Sequence, residues 1–354
     1  MHGNHAVRFT HLSCVPLRAF AALLLFPLFF TACQDGQDDL LSPQPESADL
    51  PLGPIQLAPA PAEWVTIEGS AEADLDDLAK AKRATNKAGN DRGRYNITLK
   101  YLIPVTEEQE TVFEEAAARW ERIIIKDVPS FTGTLPSAFT GFPPAVDGTV
   151  DDILIEVVLA PIDGPGGILG QAGPRFVRTS DFLTLTGVMF FDVADLDFLD
   201  QLDLFEEVIV HEMGHVLGVG TLWDAGDRDL RKDEDGNPYF AGRKANVFWN
   251  AEGGTGELPV ENMFGPGTRL SHWRESVLDN ELMTGFLNLG ENPLSRITAG
   301  SMRDLGYGAA SVGESYDLPR GAPGVDVDGD EPGAGLNIAE MEVTLLPIGS
   351  VTVK

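Results

Sequence analysis

Cysteine is almost absent from this chain: its 354 residues contain only Cys14 and Cys33. That excludes a disulfide framework, so the fold must stand on a hydrophobic core. Histidine is nearly as scarce. Of six, His2, His5 and His11 sit at the extreme N-terminus, leaving His211, His215 and His272 for everything beyond. Basic residues are few as well, 25 against 55 acids, for a formal net charge of −30. A surface of that sign repels phosphate backbones and argues against nucleic acid as a partner. Beyond residue 32 no apolar run is long enough to span a bilayer, and no internal repeat is evident. The length suits one large domain or two modest ones.

What is present begins with residues 1–33. Arg8 and Arg18 precede the apolar stretch "AFAALLLFPLFF", which runs into "FTAC", ending at Cys33. The arrangement resembles a bacterial lipoprotein signal, with residues 1–32 removed and Cys33 lipidated. It implies an exported cell-envelope protein, tethered to a membrane by that lipid alone. Gln34 after the cysteine points to the outer membrane or cell surface. Cleavage there would take the charge to −32, because the leader holds two arginines and no acid. Residues 33–92, rich in Pro, Ala, Asp and Glu, read as a flexible spacer or short propeptide.

Ordered structure is expected from residue 93. "YNITLKYLI" alternates apolar and polar residues as a half-buried strand does. In "TEEQETVFEEAAARWERIII", Thr106 and Gln109 fit a capping box, and Val112, Phe113, Ala116, Ala117, Trp120, Ile123 and Ile124 form one apolar stripe. "ILIEVVLA" (153–160) and "GVMFFDV" (187–193) read as strands. The Gly-rich 167–177 reads as an edge strand, with 164–174 free to pair with a peptide backbone. Asp192, Asp195 and Asp197 offer acids for a weak calcium site, although their spacing is irregular. Residues 319–354 read as an acidic C-terminal tail.

The chemistry concentrates in "LFEEVIVHEMGHVLGVG". Residues four apart share a helix face, so His211 and His215 can grip one ion. Glu212, about 100° round the helix, can reach a water on that ion without ligating it and act as general base. Gly218 ends the helix. Catalytic zinc takes three protein ligands and keeps one position open. Position 221, where many zinc proteases place a third histidine, holds Thr221. Its replacement is either His272, the one histidine left, or a carboxylate, Glu281 or Glu261, completing a His2Glu set.

With "SHWRESVLDNELMTG" added, the chain resembles the leishmanolysin family of metzincin metalloproteases, in particular its bacterial members, over roughly residues 94–318. The resemblance implies an α+β fold with a twisted mixed sheet, a core helix, a zinc helix and an irregular C-terminal subdomain. It implies that His211, His215 and His272 bind zinc, that Glu212 is the base, and that Met283 forms a turn beneath the metal. Residues 219–271 become an insertion, and "NPLSRITAGSMRDLGYG" a helix capped by Thr298 and ended by Gly306. The protozoan members are disulfide-rich and silenced by a propeptide cysteine; with no spare cysteine, latency here must work otherwise. The expected domains are a signal at 1–32, a spacer at 33–92, a catalytic domain at 93–318 and a tail at 319–354. The expected function is a monomeric zinc endopeptidase acting on proteins or peptides. The alternative is a non-catalytic surface-binding or adhesion lipoprotein that keeps the fold.

Overall fold

The computed structural model describes residues 53–72, 93–265, 267–319 and 335–354. The leader, Cys33, residues 34–52 and 73–92 of the spacer, and residues 320–334 of the expected tail lie outside the described residues. Among the described residues no helix is long and apolar enough to cross a membrane.

The architecture is α+β, built on a seven-stranded mixed sheet. Its path runs β1 (Val65–Gly69), β14 (Gly349–Val353), β6 (Gly170–Arg178), β7 (Thr184–Phe191), β5 (Ile153–Leu159) and β2 (Ile97–Tyr101). A short strand, β13 (Glu342–Thr344), also pairs with β6. β6 and β7 are antiparallel; every other pair in the sheet is parallel.

β5 is buried at every position because both faces of the sheet are covered. Alternation along a strand sends successive side chains to opposite faces. Ile153, Ile155, Val157 and Leu159 join the core beneath two helices, α1 (Glu107–Ile123) and α3 (Phe205–Leu217). Leu154 packs the other way, against Phe131, Leu135, Val146 and Val150 of the hairpin β3 (Phe131–Leu135) and β4 (Val146–Val150). The α1 stripe lies inward as its spacing requires, and Thr106 and Gln109 form the reciprocal capping box. Trp120 Nε1 donates to Val210 O at 2.8 Å, pinning α1 to the helix that bears the histidine motif.

Three expectations are corrected. The Gly-rich strand is not an edge: β7 lies along one side, while β13 and β14 cover successive parts of the other. The residues read as a tail supply those two strands, β14 lying inside the sheet. Part of the stretch read as spacer supplies β1, whose Val65 and Ile67 pack on the second core face. The cause is common to all three. Alternating segments as short as "VTIEG" and "GSVTV" become strands once a distant partner accepts their backbone hydrogen bonds, and local composition does not register that partner.

The insertion is ordered and has its own small sheet, β8 (Arg231–Glu234), β9 (Asn237–Phe240) and β10 (Leu258–Pro259), with the helix α4 (Arg243–Ala251). After it come α5 (Glu275–Leu278), β11 (Phe286–Leu287) and α6 (Arg296–Leu305); β11 pairs with β12 (Leu336–Asn337). Gly306 ends α6 in the left-handed conformation as expected. The cap at its start is Ser295, not Thr298, because the Ser295 hydroxyl accepts from the amides of Ile297 and Thr298.

Candidate metal centre

α3 carries His211, Glu212 and His215, and Gly218 closes it in the left-handed conformation (φ 119°). Two residues on, Gly220 makes the close approach the site needs. A Cβ there would fall 2.1 Å from the carbonyl oxygen of Ser271, the neighbour of His272. The chain thus returns against the helix end after the whole insertion, which costs little closure entropy because that cost grows only logarithmically with length. Trp273 fixes the return: it stacks on Trp223 of the insertion with ring centroids 4.9 Å apart, and its Nε1 donates to Thr298 Oγ1. Thr221, in the place of the missing histidine, donates its hydroxyl to His215 O at 2.7 Å. It secures the helix end and binds nothing else in the centre.

The three imidazoles converge through Nε2, with separations of 3.1 Å (His211–His272), 3.0 Å (His215–His211) and 3.0 Å (His215–His272). Each Nδ1 faces a backbone carbonyl: Leu282 O from His211, Val219 O from His215, Thr268 O from His272. A carbonyl only accepts, so each Nδ1 holds its ring's hydrogen and each Nε2 presents a lone pair. Ser271 also lies 3.0 Å from His272 Nδ1, and its own hydrogen goes to Gly267 O. Three lone pairs aimed at one point repel one another unless a cation lies between them. Carbonyls that hold the far nitrogen of each ring in this way orient histidines toward a metal.

A fourth donor is Glu342 of β13. Its Oε1 lies 3.0 Å from His272 Nε2 and 3.7 Å from His215 Nε2, and its Oε2 3.4 Å from His211 Nε2. Neither carboxylate oxygen has a hydrogen-bond donor, and the same holds for both oxygens of Glu212. His211, His215, His272 and Glu342 together form a buried group able to hold a metal ion, and the orphaned oxygens fit that role. The side chains of His211, Glu212, His215 and His272 are all 0% exposed.

Burial and the charge of Glu342 raise the Glu212 carboxyl well above the usual range. Burial would raise Glu342 too, but the imidazoles of His272 and His215 outweigh it and hold it well below. Burial drives His215 down to about 3, whereas for His272 the adjacent carboxylate overcomes burial and raises it.

Met283 lies against the helix between the two motif histidines. A Cβ on Gly214 would meet Met283 Sδ at 2.6 Å and Trp120 Cζ2 at 2.9 Å, so that contact requires a glycine. The backbone around Met283 is tied to the site on both sides: Leu282 O takes the His211 hydrogen, and Met283 O accepts from Trp273 N.

Glu281 and Glu261, the rival ligands, are elsewhere engaged. Glu281 accepts from Met283 N, Ser295 N, Ser295 Oγ and Thr298 Oγ1 and so anchors the methionine segment. Glu261 accepts from the amides of Asn262, Met263 and Glu275. Of the acids considered for calcium, Asp192 accepts from the amides of Ile162, Asp163, Gly164 and Ala194, and Asp195 through Oδ1 from Gly166, while its Oδ2 has no partner. In the other acidic group, Asp127, Asp151 and Asp152, Asp152 accepts from Asn96 N and Val128 N and Asp151 from Ser130 Oγ.

Glu275, two residues beyond Trp273, gives a pH prediction. It is buried, and neither oxygen has a partner. The nearby Thr284 hydroxyl faces the carbonyls of Asp279 and Phe286 instead. Burial, with Asp279 and Glu261 close by, pushes its carboxyl up to about 8. The folded state therefore binds a proton more tightly than the unfolded one, so this contribution is full below about pH 4.5 and lost as pH rises through 8. Urea unfolding at pH 5 and pH 9 should show Glu275→Gln relatively more stable at pH 9, by on the order of 3 kcal/mol or less. An equal difference between wild type and variant at both pH values would refute this.

No protein-family model matches the chain, and no curated protein matches it.

Proposed function

We propose that the protein is a zinc-dependent endopeptidase of metzincin type, similar to leishmanolysin, tethered to the cell envelope through lipid on Cys33. One observation carries the reading: three imidazoles, each with its Nδ1 on a backbone carbonyl, converge through Nε2 beside a buried carboxylate, Glu212, that no protein donor satisfies. The nitrogen-rich donor set suits zinc. His211, His215 and His272 would hold the ion, and when bound it supplies a Lewis acid that polarises a carbonyl and acidifies water. Glu212 takes a proton from the attacking nucleophile and returns it to the leaving nitrogen. A carboxylate can make both transfers. The Leu282 carbonyl holds His211 in place, and Met283 packs against the helix at Gly214. Extended, unfolded protein segments are the substrate class, although the β6 backbone that such a segment could pair with is taken by β13 in this structure. Nothing in this reading requires nucleic acid, calcium or a second subunit.

The second reading, a non-catalytic surface-binding protein, has its own support. With Glu342 the centre offers four protein ligands, the number that structural zinc sites use. Metal analysis with casein digestion, with and without a chelator, separates the two, applied to the wild-type chain and to Glu342→Ala. Stoichiometric zinc and chelator-sensitive cleavage by either form are expected. Stoichiometric zinc with intact casein in both would favour the binding protein.

A further inference from the structure

The residues that close the metal centre arrive from an unexpected direction. The segment 336–345 crosses from the methionine side of the site to the sheet. It begins as β12, paired with β11 just after Met283 (Phe286 opposite Asn337, Leu287 opposite Leu336). Ala339 N then donates to Gly285 O, and Ile338 and Ala339 are buried. It ends as β13, with Glu342, Val343 and Thr344 opposite Gly170, Gln171 and Ala172 of β6. Leu169 N donates to Met341 O and Leu345 N to Ala172 O, both at 2.7 Å. The segment therefore uses the β6 backbone groups that an added peptide would need. Close fit is built in at Gly173 (φ 157°), where a Cβ would fall 2.1 Å from Leu345 O.

Midway along this crossing stands Glu342. Its carboxylate sits on all three Nε2 atoms and beside Glu212, where a nucleophile and a scissile carbonyl would have to be. An ordinary surface strand would leave the general base accessible; here Glu212 is wholly buried. The metal position and the strand that a peptidase needs free are both occupied by the chain's own residues.

We propose that residues 336–345 are an autoinhibitory strap that occupies the substrate's place, with Glu342 as the fourth ligand of the metal. The proposal rests on the hydrolase reading for its purpose, but blockade of the centre can be measured without hydrolysis. Opening requires withdrawal of the strap and not loss of β14, which is an internal strand of the sheet.

The test uses the full chain loaded with cobalt(II), whose visible spectrum reports coordination, and acetohydroxamate as a small chelating probe. Wild type, Glu342→Ala and Glu342→Gln are compared, with circular dichroism and metal content as controls. Millimolar acetohydroxamate should leave the wild-type spectrum unchanged and shift that of Glu342→Ala saturably. Glu342→Gln, similar in size but a weaker ligand, should fall between. If about one wild-type molecule in a hundred is open, zinc-loaded Glu342→Ala should digest casein roughly 100-fold faster. A wild-type spectrum that responds as readily as the variants' would overturn the strap, whatever casein does. Variants that stay folded yet lose their metal would also overturn it, because Glu342 would then be a permanent ligand. Variants that bind acetohydroxamate and spare casein would uphold the blockade and sink the hydrolase reading instead.

Discussion

Glu212→Gln, introduced into whichever form cleaves casein, should cut turnover by roughly 10²–10⁴-fold while leaving metal content and fold intact. The side chain makes no hydrogen bond to a protein donor, so the amide breaks no existing network. It lies one residue from His211 but is not among the four side chains whose donor atoms form the metal-binding group, so the ion should stay. What the substitution removes is a basic oxygen. An amide cannot take a proton from a nucleophile or hand one to a leaving nitrogen, so the loss should appear in kcat, with little change in KM. The fold should gain slightly, because an ionised carboxyl in this setting is disfavoured by burial and by Glu342. Thermal unfolding, bound zinc and casein turnover measured on one preparation decide the matter. Turnover within a few-fold of the parent would remove Glu212 from the mechanism.

Parts of this centre were legible in the sequence for different reasons. His211, Glu212 and His215 announce themselves through helical spacing, a purely local rule. His272 stands out by scarcity, since only one histidine remained after the motif, and by its pairing with Trp273 ahead of Met283. Glu342 could not be found that way. It is one of 55 acids, in a three-residue strand, and it reaches the histidines through a parallel pairing with β6 far back in the chain. The carboxylates that the sequence offers as rivals, Glu281 and Glu261, lie close to His272 along the chain. Proximity along the chain selected residues that anchor backbone, whereas the contact to the metal group comes through sheet pairing. The alternation in "EMEVTLL" is the one faint signal, and an acidic, aromatic-poor neighbourhood hides it. The same limit explains β1 and β14: strand existence depends on a partner, whereas α1 and α3 carry their period and caps within themselves.

His272→Ala should weaken the metal more than the roughly 10–100-fold that losing an outer-shell partner costs. The presence of Glu342 makes the single variant informative in a second way. Removing the imidazole leaves His211, His215 and Glu342, a His2Glu set of the kind that also holds catalytic zinc. Some metal should therefore survive in His272→Ala, and dialysis against a mild chelator should strip it far faster than from wild type. His272→Ala combined with Glu342→Ala leaves two ligands on one helix face and should hold no stoichiometric zinc at all. Casein cleavage should be lost in both, since the third imidazole fixes where the remaining position points. Glu281→Gln is the necessary contrast. Glu281 accepts four hydrogen bonds behind Met283 and touches none of the imidazoles, so its amide should cost about 2–4 kcal/mol of stability and keep stoichiometric zinc. Zinc retained after dialysis, read together with thermal unfolding, separates the two roles. If His272→Ala held zinc as tightly as wild type and Glu281→Gln released it, the metal would lie with the methionine segment, and the three-histidine centre would be wrong.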